Sequence, residues 1–492
     1  MLNHFFCGFG IRFELVVKKK QPLMIRRLLS LFALLTPMLL VGQNCPIPLS
    51  LGETIWLAGQ ENLSLAIARE EVESARAEEQ QLNALWYPAV AITGEYTHSL
   101  TEIAAVSTLG EIGSELLGNV GSLVGNIPAI GELVEGIADS QIRLPLVPRN
   151  TAEVGAEMSW VVFSGGRRVA ATRIARQMQS LAGERLVATE NAVVAEVVAT
   201  YFGVELALQA VEVRRRSALL FGEHLRQAQR LEAEGMINRA ERLTAEVAHK
   251  QSLTLLASSE GDLRVAQKAL ASLLAIDSLV VTPTTPLRLP PTLPSRDELL
   301  AEVESSPTII ALTNMQDIAS QRLAIERSRY FPAIALLGHQ QLWSSGLDKN
   351  LFPRTFVGVG VSWTLFDGLA REGAISQSKS TIRSIEATQE KTLRELQTAV
   401  DKHYSTITTL LHEHSAQQTT LALAEELLRM RQRAFAEGMA TSTEVVDAVQ
   451  MLSEAHLSML ATLYTIDTSL ASLLMITGST QNILDYFPNE IE

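Results

Sequence analysis

Side chains that could carry out catalysis or bind a metal are few in this sequence of 492 residues, and they are seldom grouped. His412-Glu413-His414 is the most suggestive group, since imidazole and carboxylate are common metal ligands. The residues around it favour a helix, however, and positions i and i+2 of a helix do not share a face. The group therefore predicts a solvated patch and not a metal site.

Other signatures of enzymes lack the context that they need. Gly358 and Gly360 have the spacing that begins a dinucleotide-binding loop, but the third glycine and the following helix are missing. We find no supported Ser/His/Asp or Cys/His grouping and no P-loop in the sequence. We therefore expect no catalytic residue, no cofactor and no resident metal, and the function has to follow from the larger elements.

The chain contains two copies of one unit, arranged head to tail. Phe163 precedes Gly235 by 72 residues, and Phe366 precedes Gly438 by the same 72 residues. A shared spacing of that length predicts one element of fixed length in each copy. The other matching stretches are residues 84–92 with 328–336 and 234–236 with 437–439.

The 72-residue segments predict long coiled-coil helices. In the first copy Val187, Val194, Tyr201 and Leu208 recur every seven residues, as in the seam of a coiled coil. A helix of ~70 residues is about 105 Å long, far more than the ~30 Å of a bilayer core. Glutamates interrupt the apolar positions, so we expect a soluble rod. Each rod should turn back at its glycine, Gly235 or Gly438.

The stretches before each rod alternate apolar with small or polar residues. The apolar rows are Val154, Ala156, Met158, Trp160 and Val162, and Val357, Val359, Val361, Trp363 and Leu365. The segments after Pro88 and Pro332 are the expected hairpin partners. Alternation alone also fits a soluble sheet, but fusion to such long rods favours a membrane β-barrel with Trp160 and Trp363 toward lipid.

Four strands per chain cannot close a barrel. The smallest membrane barrels have about eight strands, and an open edge in lipid leaves backbone groups unpaired. We therefore expect copies of the chain to pool their strands, with eight strands in a dimer or twelve in a trimer. The predicted fold class is a mixed α and β membrane protein, in which long antiparallel α-helical coiled-coil hairpins join a transmembrane β-barrel with four strands per chain.

The predicted organisation has five parts. Residues 1–42 are a leader and secretory signal, and 481–492 are a C-terminal tail. The first repeat spans 43–282, with a hairpin at 88–164 and a long external loop at about 100–150. A proline-rich linker at 283–294 leads to the second repeat at 295–480, whose hairpin lies at 332–366.

The amino terminus leaves alternatives open. Either Met1 or Met24 is the start, and an uncleaved anchor is the alternative to a cleaved signal. Cys45 lies just after the signal, so lipidation there is a further possibility. Removing residues 1–42, which carry six basic and one acidic side chains, changes the formal net charge from −13 to −18. So acidic a chain is not expected to bind nucleic acid.

Residues 48–480 resemble the TolC-like outer-membrane efflux family. The resemblance is carried by the proline-led strands, by Leu365-Phe366-Asp367-Gly368 before a rod, and by Phe435-Ala436-Glu437-Gly438 at its turn. It implies a homotrimer with twelve strands in the outer membrane and a helical tunnel in the periplasm. It also implies a periplasmic adaptor and an inner-membrane transporter as partners.

The resemblance further implies a gate at the inner end. In the family, acids six and nine residues after the second turn glycine ring the constriction. These positions are Glu444 and Asp447 here, and Glu241 matches in the first copy. Tyr and Arg residues that latch the closed state in some members are replaced by Phe435 and Ala440, so any latch must differ.

The turns themselves are the expected adaptor contact, through Gly235, Met236, Gly438 and Met439. The leading function is a passive export duct, whose substrate the sequence does not identify. Two other functions remain open from the sequence. One is a barrel-anchored structural or adhesive protein that uses the long loop, and the other is a periplasmic adaptor, which the membrane-type strands disfavour.

Overall fold

The computed structural model describes residues 47–98, 106–108, 141–143, 150–276, 280–345 and 354–487. The predicted leader, Cys45 and most of the glycine-rich loop at 100–150 lie outside these ranges. The helices are α1 (Leu51–Glu61), α2 (Leu63–Asn83), α3 (Arg167–Ala233), α4 (Arg239–Leu273), α5 (Arg296–Val303), α6 (Pro307–Ser328), α7 (Ala370–Ala436), α8 (Ser442–Thr477) and α9 (Ile483–Tyr486). The strands are β1 (Ile47–Leu49), β2 (Ala89–His98), β3 (Val106–Thr108), β4 (Gln141–Arg143), β5 (Asn150–Ser164), β6 (Val281–Pro283), β7 (Ala333–Ser345) and β8 (Thr355–Ser362).

The two long helices have the same length. α3 and α7 are each 67 residues long, which corresponds to about 100 Å. The return helices α4 and α8 have 35 and 36 residues. Each long helix packs along its return helix, and α8 also packs along α3, so the two repeats share one helical body.

The segment that precedes the first hairpin forms two helices, α1 and α2. Asn62 lies between them in an extended conformation, and its side-chain oxygen accepts hydrogen bonds from the Ser64 and Leu65 amides. Its side-chain amide donates to the Leu273 carbonyl at 3.0 Å. Asn62 therefore caps the start of α2 and donates to a carbonyl at the end of α4, and these two roles explain the break between α1 and α2.

Four strands from both repeats form one antiparallel sheet in the order β2-β5-β7-β8. The sequence predicts two hairpins, and the pairing of β5 with β7 joins them across the repeats. Within the described residues the sheet is open, with β2 and β8 as its edges. The last strand also ends at Ser362, four residues before the predicted hairpin boundary.

Tyr201, in the middle of α3, is hydrogen-bonded both to β1 near the start of the first repeat and to the residues that follow β6. Its buried hydroxyl donates to the Leu49 carbonyl at 2.8 Å and accepts from the Thr284 and Thr285 amides at 2.9 Å. Those residues belong to or follow β1 and β6, which pair in parallel. The strand β6 therefore ends at Pro283, the first residue of the predicted proline-rich linker.

Part of the predicted C-terminal tail is packed into the core. Ile483–Tyr486 form a short helix, and the buried Phe487 ring lies 5.1 Å from the Phe202 ring. The aromatic side chain has enough apolar surface to stabilise this docking. The boundary at residue 481 therefore does not separate a free tail from the rest of the structure.

Among the described residues, two helices are long and apolar enough to cross a membrane, judged by length and composition alone. α3 and α8 each contain an 18-residue window of mean hydropathy 1.4 or 1.5, but half of each window is buried inside the chain. Helices that form the core of a soluble body have the same composition. Packing within the helical body accounts for these windows.

Asp467 is a buried acid in this apolar core. Its side chain on α8 is 0% exposed, and neither carboxyl oxygen has a hydrogen-bond partner among the described residues. Burial raises the pKa of Asp467 well above its ordinary value, and the charge of Arg288 only partly opposes this shift. The folded chain therefore binds this proton more tightly than the unfolded chain does.

Asp467→Asn should raise the melting temperature at pH 8. An acid whose folded-state pKa is raised loses its contribution to stability as the pH rises from the unfolded pKa, about 3.9, toward the folded value. The neutral amide does not titrate, so the gain should shrink as the pH falls toward 4. Thermal unfolding of native and variant protein at pH 5 and pH 8 measures this effect. An equal difference at both values would show that ionisation of Asp467 is not involved.

Candidate functional site

The turns between each long helix and its return helix require glycine. Gly235 and Gly438 have φ values of +71° and +72°, in the left-handed region that glycine adopts without strain. The next residues close the turn, since the Met236 amide donates to Leu231 O and the Met439 amide to Ala434 O, both at 2.8 Å. This is the Schellman pattern, which satisfies the last carbonyls of a helix.

Both methionines that follow these glycines are exposed. Met236 is 55% exposed and Met439 is 72% exposed, and they lie at corresponding positions of the two turns. Asn238 and Thr441 then cap the return helices, each by accepting a backbone amide hydrogen three residues ahead. The turns are therefore rigid loops that present flexible, polarisable side chains.

Glu444 forms part of a helix cap. Its side chain accepts from the Thr441 amide at 3.0 Å, while the Thr441 hydroxyl accepts from the Glu444 amide. Arg431 of α7 also lies 3.3 Å from the carboxylate. The pattern Thr-x-x-Glu is that of a capping box. The sequence therefore carried a signal for the capping role of Glu444, which differs from the gate role that the resemblance implies.

Glu241 connects the two repeats. Its carboxylate, on α4 of the first repeat, accepts from the Ser442 amide of the second repeat at 2.6 Å. Ser442 is the first residue of α8, where the unpaired amides and the helix dipole favour a negative charge. Glu241 and Glu444 therefore bind adjacent amides at one helix terminus.

His224 lies under the same terminus. Its Nε2 atom is 2.7 Å from the Ser442 hydroxyl, and its ring packs against Phe435 with centroids 4.6 Å apart. Burial lowers the pKa of His224 to about 4, despite the opposing effects of Ser442 and the Glu241 charge. The ring is therefore neutral at neutral pH. The stability it contributes is complete above pH ~6.5 and is lost as the pH falls toward 4.

Phe435 and Ala440, the two positions where the resemblance places latch residues, are apolar residues and pack in an apolar environment. Phe435 is fully buried in a cluster of residues from α3, α4, α7 and α8, and Ala440 is packed against the same cluster. The members of this tip cluster include Phe221, Ala228, Leu231, Ala245, Leu428, Val445 and Val449. In this protomer, the two helical hairpins are thus joined at their tips by apolar packing plus the His224–Ser442–Glu241 hydrogen bonds.

Asp447 differs from the other two predicted gate acids. It lies one turn after Glu444 on α8, and its side chain is exposed to solvent. The structure brings Glu241 and Glu444 together at the start of α8, where both act as caps. Of the three acids, Asp447 is the one whose carboxylate is directed to solvent and is not used as a cap.

The two faces of the strand sheet differ in chemistry. We define the apolar face by the row Val90–Met158–Gly338–Val357 and its neighbours, and the acidic face by the row Ala91–Glu157–His339–Phe356. The three acidic residues of the four strands, Glu95, Glu153 and Glu157, share the acidic face by register. Exposed aliphatic and aromatic side chains of the apolar face include Val90, Ile92, Tyr96, Val357, Val359 and Val361.

Trp160 and Trp363 occupy matching positions at the helical end of the apolar face. The Trp160 indole donates to the Trp86 carbonyl and the Trp363 indole to the Tyr330 carbonyl, each at 3.1 Å. Trp363 is 57% exposed. Each indole thus keeps an apolar surface outward while its N–H group is satisfied within the chain.

An arginine joins strand to helix at each of these places, and sequence reasoning missed both. Arg168 donates to the Leu85, Val161 and Val162 carbonyls and lies 4.0 Å above the Trp86 ring. Burial lowers the pKa of Arg168 from its ordinary value.

Arg371 repeats this arrangement in the second copy. It donates to the Arg329, Thr364 and Leu365 carbonyls and lies 4.8 Å from the Tyr330 ring. The only signal in the sequence is that both arginines follow their phenylalanine, Phe163 or Phe366, by five residues.

The histidines at 412 and 414 point to different environments. His412 is exposed, whereas His414 is buried. This agrees with the expectation that two residues separated by two positions on a helix do not share a face. Among the described residues, no group of three or more His, Cys, Asp or Glu side chains has the arrangement of a metal site.

Comparison with known proteins identifies the family. The family model described as outer membrane efflux protein matches residues 140–275 and 301–479. The cobalt-zinc-cadmium resistance protein CzcC of Cupriavidus metallidurans is 24% identical over 321 residues, which cover 64% of this chain and 74% of CzcC.

Solved structures share the fold. A crystal structure of CusC is similar with a TM-score of 0.68 and 17% identity, over 89% of this chain and 95% of CusC. The outer membrane protein VceC of Vibrio cholerae is similar with a TM-score of 0.67 and 15% identity, over 87% and 96%. The expected TolC-like resemblance is thereby confirmed, and the adhesive alternative is not favoured. The chain belongs to the outer membrane efflux protein family, whose members are the outer-membrane channels of tripartite efflux systems.

Proposed function

We propose that three copies of this chain form a passive duct, with a 12-stranded barrel in the outer membrane and a helical tunnel that extends into the periplasm. The duct receives solutes from a periplasmic adaptor and an inner-membrane pump and releases them outside the cell. The observation that carries the proposal is the four-stranded sheet, which has one apolar face, one acidic face and two open edges.

The apolar face fits a lipid environment. β2, β5 and β7 have 10, 15 and 13 residues, and a tilted strand needs about 9–11 residues to cross the hydrocarbon core. The three acids on the opposite face would then line a water-filled lumen, as in other outer-membrane barrels. Trp160 and Trp363 would lie at the periplasmic boundary of the lipid, where aromatic residues form a girdle.

The open edges support the trimer. β2 and β8 each have one side without a partner strand in the described sheet, and unpaired amides cost several kcal/mol each in lipid. Pairing β8 of one protomer with β2 of the next satisfies both edges. Three protomers give the strand number that the family resemblance implies.

The purified mature chain should therefore behave as a trimer in mild detergent. Light scattering combined with size exclusion, corrected for bound detergent, measures the protein mass. A folded, stable monomer, or a dimer at all concentrations, would contradict the closure of the sheet by three copies.

The paired turns at Gly235-Met236 and Gly438-Met439 are the proposed adaptor contact. Each turn ends a rod about 100 Å from the sheet, faces solvent and carries an exposed methionine. Methionine side chains adapt to irregular apolar surfaces. They would let the adaptor bind two turns that are similar but not identical.

Replacing both Met236 and Met439 by Asp should abolish export in cells while leaving the purified trimer intact. The charged side chains would oppose burial in an apolar contact. Export of a pump substrate and crosslinking to the adaptor are measured together. The matched control is Met451→Asp, which changes a partly exposed methionine of α8 away from the turns. Unchanged export in the double variant would exclude the turns as the contact.

The closed gate is held, in this proposal, by the His224–Ser442–Glu241 hydrogen bonds and the buried Phe435. These groups lie where family members place a latch, and they join the first hairpin to the second. Asp447 and Glu444, with Glu241, would place carboxylates around the inner mouth of the trimer. Like charges that converge there repel one another, so the latch must offset part of that repulsion.

His224→Ala should increase the single-channel conductance of the trimer in planar bilayers. The change removes a buried ring and its hydrogen bond, which together contribute roughly 2–4 kcal/mol at such a site. The matched control is His412→Ala, which removes an exposed histidine of α7 and should leave the conductance unchanged. A His224→Ala trimer with the native conductance would show that the latch lies elsewhere.

A further inference from the structure

The strands carry a second charged site, far from the helix tips. Glu157 is the eighth of the 15 residues of β5, and His339 is the seventh of the 13 residues of β7, so this site lies about half-way along the sheet. The two residues face each other directly in the strand register. Family comparison and sequence reasoning assigned no role to either residue.

The imidazole of His339 lies between two carboxylates and is hydrogen-bonded to one of them, Glu153. Its Nε2 atom lies 3.0 Å from a Glu153 oxygen, and its Nδ1 atom lies 3.8 Å from a Glu157 oxygen. Phe356 of β8 stacks on the ring with centroids 5.4 Å apart. The ring also lies across Gly155, where an added Cβ would come within 2.7 Å of the His339 Cε1 atom.

Glu157 retains an acceptor that the protein does not satisfy. The Thr93 hydroxyl of β2 donates to its Oε1 atom at 3.0 Å, but its Oε2 atom is buried and has no hydrogen-bond partner among the described residues. The residue is 8% exposed. A carboxylate oxygen left unpaired in a sheltered place is costly unless a proton or a cation can reach it.

We propose that Glu153, Glu157 and His339 form a cation-selecting site half-way along the strand barrel, which favours small monovalent cations such as potassium over chloride. The proposal rests on the trimeric duct described above. Three protomers would place six carboxylates around one section of the lumen, and rings of acidic side chains favour cations in other pores. The imidazole positions the Glu153 carboxylate, and the Thr93 hydroxyl positions the Glu157 carboxylate.

The size of the effect follows from Coulomb's law. One unit charge about 10 Å from an ion in a water-filled pore changes the local ion concentration by a factor of about two. Neutralising two acids in each protomer should therefore lower the ratio of potassium to chloride permeability by at least about two-fold, even with some screening by salt.

The test is the reversal potential of the reconstituted trimer across a tenfold gradient of potassium chloride. Glu153→Gln combined with Glu157→Gln should lower the permeability ratio. Glu153→Asp combined with Glu157→Asp keeps the charges and should retain most of the native ratio. Because the tip acids of the proposed duct would also favour cations, both pairs are measured again in a background of Glu444→Gln and Asp447→Asn, in which the barrel accounts for more of the selectivity.

Each outcome is informative. A fall in the ratio for the glutamine pair but not for the aspartate pair supports the site, since a merely structural role would affect both pairs. A conducting trimer with an unchanged ratio in both backgrounds would overturn this inference and leave the duct intact. A folded trimer that conducts no ions would overturn the duct and this inference with it. Should the glutamine pair not assemble, Glu157→Gln alone gives the same comparison.

Discussion

A strand in lipid must pair every backbone amide and carbonyl, and the rest of this structure depends on that constraint. The described sheet has four strands and two open edges, and in the proposed trimer the neighbouring copies would pair with both edges. The pairing of β5 with β7 across the two repeats removes two of the open edges that separate hairpins would leave. Register then separates the side chains, with the three acids on one face and the aliphatic rows on the other.

The junctions between the sheet and the long helices set the direction in which each helix of about 100 Å leaves the sheet. Two arginines, Arg168 and Arg371, each bind the carbonyls where a strand ends and a long helix begins, and each lies against an aromatic ring. A guanidinium group can satisfy several carbonyls at once in a fixed geometry. The two junctions therefore repeat the same contacts at the start of two helices of equal length.

At the far end, the polar and apolar contacts have separate roles. The Schellman turns and caps fix the local shape of each hairpin, and these contacts form within a few residues of the chain. The contacts between hairpins are different, because Glu241 and His224 of the first repeat both bind Ser442 of the second. In the proposed gate, opening would change the contacts between the hairpins, whereas the contacts within each turn could remain intact.

The sequence by itself determined the features that repeat along the chain at short range. Equal spacing of glycines gave rods of equal length, alternation gave the strands, and the left-handed turns required Gly235 and Gly438. Even the cap by Glu444 was available in the sequence, as Thr441-x-x-Glu444. The cap and the alternation are local signals, since each depends on residues within one turn of a helix or on one strand, and the rod length follows from a spacing that the chain repeats.

Only the tertiary structure decided which distant groups meet. Glu241 and Ser442 are 201 residues apart, and Glu153 and His339 are 186 apart, so no periodicity connects them. The same is true of Phe487, which the sequence placed in a tail and which packs on Phe202. Burial and register set these contacts, because a side chain in a packed interior has to satisfy its polar atoms with whichever neighbours the fold provides.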